Sequence, residues 1–160
     1  MDVAVTGEFP APVRSCAKVI TGEVIARCVD VVRGRPIPEA IAALNRHAYV
    51  DDAVIATVPR GRSDQTILVF FPIDWYASCA EADEERKRLG LRPADFDEIV
   101  SANEADQAFS DGHPNLTQWM DENKNWNYIA FYRWRGKRSL DAKRRFFRYG
   151  KNWWHVGVPT

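Results

Sequence analysis

Apolar residues come in short bursts along this chain, and the bursts are densest in the last third. From Trp126 to Val158 aromatic and basic residues alternate, and two Gly-Lys steps divide the stretch into three runs. Glycine at the first central position suits a two-residue type II′ turn. Aromatic and β-branched residues suit a pleated, half-buried surface. The pattern predicts a three-stranded antiparallel meander over 126–158, turning at Gly136-Lys137 and Gly150-Lys151. If Arg135 pairs with Arg138, then Ile129, Phe131, Leu140, Ala142 and Phe146 share one face, which reads as core. Tyr128, Tyr132, Trp134, Lys143, Arg145 and Phe147 share the other. A three-residue second loop places Trp154, Val156 and Val158 on the core face, with Trp153 and His155 outside; a two-residue loop reverses that strand. A one-residue slip would exchange the faces. Arg144 and Arg148 fall on the core side and belong at its rim.

Upstream, the periodicity changes from segment to segment. Met1 to Ala11 reads as a lead-in strand or a frayed arm. Across Val13 to Arg33, Val24, Ile25, Cys28, Val29 and Val32 recur at helical spacing, with Gly34 as a stop. That predicts a helix, against the alternative of a hairpin turning at Gly22. Pro38 with the stripe Ile37, Ile41, Leu44 predicts a short helix to about Arg46. Ala53–Val58 and Gln65–Phe71 read as a hairpin joined by the loop 59–64. The continuous run Ile67–Phe71 predicts a strand buried on both faces. Helices are expected over Ala80–Gly90 and from Pro93, the second with acids in its first turns. Residues 111–115 read as loop, and Asp121–Asn125 as a polar turn.

Together these elements predict one α+β domain over 1–160, an antiparallel sheet packed with several helices. A length of 160 residues suffices for its own core. The net charge is zero, but residues 113–160 carry 10 Lys/Arg against 3 Asp/Glu, +7, and the remainder carries 12 against 19, −7. Either the halves face each other within the fold, or a basic surface meets a partner.

Three cysteines, Cys16, Cys28 and Cys79, form no CxxC; they read as small buried side chains in a reducing, cytoplasmic setting. No apolar run is long enough to span a bilayer, so no membrane partner is expected. The start of the chain lacks the basic and apolar regions of a signal peptide.

Catalytic signals are sparse. His47 with Asp51 and Asp52, or Asp111 with His113, match no metal-ligand spacing. There is no G-x-S-x-G elbow, and no cofactor is implied. The loop Arg60-Gly61-Arg62 could hold an anion but lacks the P-loop pattern. The strongest candidate is a binding surface made of Tyr128, Tyr132, Arg133, Trp134, Arg135, Lys137, Arg138, Lys143, Arg145, Phe147, Lys151 and Trp153. Its rings and cations suit a protein partner, slightly favoured because the chain is neutral overall, or a nucleic acid. An enzyme built around His47, His113 or His155 is the third reading.

Overall fold

The computed structural model describes residues 2–5 and 23–160. In chain order it contains β1 (Asp2–Val5), β2 (Val24–Asp30), α1 (Ile37–Ala43), β3 (His47–Val50), α2 (Asp52–Ile55), β4 (Gln65–Pro72) and α3 (Cys79–Arg88). There follow β5 (Leu91–Pro93), α4 (Phe96–Ala105), α5 (Phe109–Gly112), β6 (Asn115–Met120), β7 (Trp126–Trp134), β8 (Lys137–Arg144) and β9 (Trp154–Pro159). The nine strands form one sheet in the order β1-β2-β4-β9-β6-β7-β8-β3; β5 lies off this path, paired to β9. The fold is α+β, and the sheet is mixed. β6 runs parallel to β9 and β3 parallel to β8; the other pairs are antiparallel. The wholly antiparallel sheet expected from the sequence is corrected on this point.

The sheet is buried on both sides. On one, Ile129, Phe131, Leu140, Val156 and Phe70 pack under Phe96, Ile99 and Val100 of α4 and Ala40 of α1. On the other, Val69, Phe71, Leu116 and Tyr128 pack with Cys79 and Ala82 of α3 and with Tyr149. Each such large apolar side chain contributes about 1.5–3 kcal/mol when fully buried. β4 lies between β2 and β9, and of the Ile67–Phe71 run expected to be buried, Leu68–Phe71 is buried and Ile67 partly so. α3 and α4 each begin with a capping box, Ser78 with Glu81 and Asp95 with Glu98, which satisfies otherwise orphaned backbone N–H groups.

Several expectations are overturned. The meander is a hairpin: β7 and β8 pair, but β9 leaves them and inserts between β4 and β6. The turn is Arg135-Gly136, with φ of 50° and 78°, rather than Gly136-Lys137. These two positive φ values fit a type I′ turn. Arg133 therefore faces Arg138, and Trp134 faces Lys137. The change is two residues in register, so side-chain parity survives and Ile129, Phe131, Leu140 and Ala142 do share a core face. Phe146, expected beside them, is exposed; His155, expected outside, is buried.

Val24–Asp30 is a strand, not a helix; the part of that expectation covering 13–22 lies outside the described residues, as does Cys16. Its inward positions include Arg27, which breaks the alternation of apolar residues. Ala53–Val58 is not a strand either. The Asp51 carboxylate accepts from the backbone N–H groups of Ala53 and Val54, so the segment turns into α2. The hairpin expected near 53–71 is thereby absent, and β4 pairs with β2 and β9 instead. Cys28 is exposed, against expectation, while Cys79 is buried. Within 111–115, Asp111 and Gly112 close α5 and Asn115 opens β6.

Candidate functional site

Strand alternation decides what the hairpin presents. Tyr128, Tyr132 and Trp134 of β7 lie on the α3 side of the sheet, with Ser139, Asp141 and Lys143 of β8. The parallel pairing of β3 adds Tyr49 opposite Asp141. Tyr149 and the Arg145 guanidinium lie against Tyr128 in the middle of this face, and the β7–β8–β3 end is left open. There the Tyr132 hydroxyl donates to Asp141 at 2.8 Å, and the Tyr128 hydroxyl reaches the same carboxylate at 3.5 Å. Burial, and the bond to Asp141, push the Tyr132 phenol up, so it stays protonated. Trp153 packs edge-on against Tyr132 at 6.0 Å, and the Lys143 ammonium lies 5.6 Å from the Tyr49 ring centre.

The rim of the face is aromatic and unusually bare. Trp134 is 63% exposed, and the consecutive Phe146 and Phe147 are 77% and 78% exposed. Arg145 holds their loop by donating from Nε to the Phe147 carbonyl at 2.8 Å, and its guanidinium lies over the Tyr149 ring at 4.6 Å. Tyr76 arrives from the loop before α3, and Lys151 lies 5.2 Å from its ring centre.

The structure divides the twelve candidate residues into three groups. Tyr132, Trp134, Lys143, Phe147, Lys151 and Trp153 are accessible on the open face or its rim, with Arg135 and Lys137 at the hairpin tip. Tyr128 is buried, and Arg145 is half-buried beneath the Phe146-Phe147 loop. Arg133 and Arg138 point to the opposite side. Both bond Asp111 of α5, at 3.2 Å from Arg133 and at 3.0 and 2.9 Å from Arg138. Sequence reasoning missed Tyr49, Tyr76 and Asp141. The first two come from segments far away in the chain, and only the parallel β3–β8 pairing and the loop contact reveal them.

The acidic stretch does not blanket the basic strands. Asp111 takes two arginines and Glu81 pairs with Arg148. Asp95, Asp97 and Glu98 turn instead to Arg33, Arg60 and Arg92. Among the described residues, Arg135, Lys137, Lys143, Arg144 and Lys151 make no salt bridge.

The histidines gather no shared site. His47 is exposed; His113 stacks on Phe109 at 4.5 Å and bonds its backbone carbonyl. His155 is buried between Phe71 and Tyr149, its Nε2 without a partner among the described residues, and burial lowers it to about 3. Beside it a buried relay links Cys79, Tyr149 and Gln118. The thiol donates to the phenol oxygen at 3.6 Å, the phenol to Gln118 Oε1 at 2.8 Å, and the amide to the Cys79 carbonyl at 2.8 Å. Burial raises the Cys79 thiol, which is the wrong direction for a nucleophile.

Comparisons with protein-family models, with curated proteins and with solved structures find no match for this chain. Among the described residues no helix is long and apolar enough to cross a membrane.

Proposed function

We propose that this chain is a binding protein that engages a protein partner through the open aromatic and basic face of the β7–β8 hairpin and the loop that follows it. The observation that carries this reading is the row of bare rings, Trp134, Phe146 and Phe147, beside cations that make no salt bridge among the described residues. Aromatic side chains and arginine dominate the energetics of protein interfaces, because they bury large areas with few rotatable bonds. A protein is favoured over a nucleic acid by the electrostatics of the face. Asp141 sits among the tyrosines, Glu81 pairs with Arg148, and Arg133 and Arg138 are turned to the other side of the sheet with Asp111. Phosphates would meet a carboxylate at the centre of the platform.

The test is co-purification of the partner with wild type and with Trp134→Ala plus Phe147→Ala. Both side chains are exposed, so the variant should fold normally. Loss of two interface anchors should weaken the complex by about 30-fold or more. Undiminished retention by the folded variant would remove the reading. Capture that disappears on nuclease treatment, or falls steeply with added salt, would move the assignment to nucleic acid.

A further inference from the structure

A second feature lies away from the hairpin face and shares no residue with it. β5 succeeds β6 as a neighbour of β9, and the strands fork where Thr117 Oγ1 donates to the Ala94 carbonyl at 2.8 Å. At this fork lies a cleft of about 400 Å3, walled by residues 59–63, by Arg92 and Ala94, and by Trp119. Its size suits a small organic molecule.

The charges around the cleft are layered. Beneath it are three carboxylates at the start of α4: Asp95, Asp97 and Glu98, all buried. Above them lie guanidinium groups. Arg92 clasps Glu98 with two bonds of 2.8 Å, and Arg60 clasps Asp97 at 2.8 and 3.2 Å. Arg33 bonds Asp95 at 2.8 Å and Asp97 at 3.3 Å. The side chains of Arg60 and Arg92 are 32% and 38% exposed, whereas those of Asp97 and Glu98 are 4% and 0% exposed. Cations therefore face outward, and carboxylates hold them from behind.

Two donors remain unused. Arg33 Nη2 is buried without a partner among the described residues, 3.4 Å from where a Cβ on Gly61 would lie. Arg62, at the middle of the loop, is exposed and makes no salt bridge among the described residues. Along the cleft itself three guanidinium groups, Arg60, Arg62 and Arg92, stand against one carboxylate, Asp95, which Arg33 holds. Fixed guanidinium forks match the planar geometry of carboxylate and phosphate oxygens. Pro59, Pro93, Ala94 and Trp119 make part of the wall apolar, and Ser63, Gln118 and Asp95, whose carboxylate Arg33 holds, complete it.

The geometry points to a binding site for a small organic anion, with its phosphate or carboxylate on Arg62 and the outward edges of Arg60 and Arg92, and a small apolar body against Pro59 and Pro93. The carboxylates beneath act as positioning groups. A network that served only to fasten the loop to α4 would have no use for Arg62, and this separates the two roles.

The experiment is an amide NMR titration of the whole protein with phenyl phosphate, with benzoate and with benzyl alcohol as the uncharged control. Saturable shifts at Gly61, Arg62, Ser63, Ala94 and Trp119, with a Kd of about 1 mM or tighter, are expected for at least one of the anions. The tighter anion identifies the head group, and benzyl alcohol should leave these signals in place. Arg62→Ala should weaken binding about 10-fold without moving the denaturation midpoint, as expected for a charge-assisted contact. Lys87→Ala, a surface cation on α3 outside both sites, should leave the anion affinity unchanged. Absence of saturable shifts, equal binding by Arg62→Ala, or shifts spread over all surface cations would overturn the inference.

Discussion

Single side chains in this fold carry energetic roles that can be measured separately. Burial lowers His155 from 6.5 to about 3, so folded chains refuse a proton that unfolded chains accept near 6.5. The folded state keeps this advantage above pH 6.5 and loses it as pH falls towards 3, by at most about 1.4 kcal/mol per pH unit. Denaturation of wild type and His155→Phe between about pH 7 and pH 5, above the ordinary carboxylate range, should show a flatter slope for the variant. Equal slopes would mean that His155 does not carry the effect. Gly61 supplies a second test. A Cβ there would collide with Asp95 Oδ2, so Gly61→Ala forces either the loop or the carboxylate to move. A loss of about 1–3 kcal/mol is expected in the denaturant midpoint.

At the scale of elements, the hairpin turn and the edge strand make separate demands on the chain. Arg135 holds a positive φ of 50° with a side chain poorly suited to it. Arg135→Asn should stabilise the fold by about 0.5–1 kcal/mol, because asparagine tolerates this conformation. Gly136→Ala should cost about 1–2 kcal/mol through the backbone alone, since a Cβ there meets nothing within 4 Å. The opposite ordering of the two melting temperatures would refute the turn assignment. β3 is held in part by Arg46, whose guanidinium donates to the carbonyls of Gln107 and Ser139 and to Ser110 Oγ, at 3.2, 3.3 and 2.9 Å. Burial lowers Arg46 to about 10, and no salt bridge offsets it among the described residues. Arg46→Met should leave these acceptors unsatisfied, costing about 2–3 kcal/mol. Hydrogen exchange should quicken first in 47–50.

The same elements show what local pattern can and cannot reveal. The β7–β8 faces were readable because a two-residue register change preserves parity. α3 was readable from a charged, alanine-containing run that stops at Gly90, and α4 from Pro93 and the acids in its first turns. β6 was hidden because Asn115, Thr117 and Gln118 are polar yet buried, each satisfied by a distant partner: Asn103, the Ala94 carbonyl and the Cys79 carbonyl. β2 imitated a helix because its exposed Cys28 and inward Arg27 invert the usual alternation. The composition of the aromatic face was readable, but Arg133 and Arg138 were misplaced. The strand pattern puts them on the far side, where α5 brings Asp111 to meet them.

For the whole molecule, the neutral net charge conceals a division of labour. Acids of α4 organise arginines from the early loops and β5, so much of the C-terminal positive charge stays unmatched. A complex formed on that face should therefore weaken with salt, but shallowly, since Arg133 and Arg138 point away from it, Arg148 is paired with Glu81 and Asp141 lies at its centre. Binding measured from low to moderate ionic strength should change by less than about 10-fold, against the 10³–10⁵ typical of extensive phosphate contacts.

The placement of β9 has a practical corollary. This six-residue strand stitches β4 to β6, and the link from 145 to 153 that leads into it contains no helix or strand. A chain severed in that link is a natural split reporter. The two fragments should regain the native near-ultraviolet spectrum only when mixed, with a peptide spanning 149–160 acting as the key that re-forms the sheet.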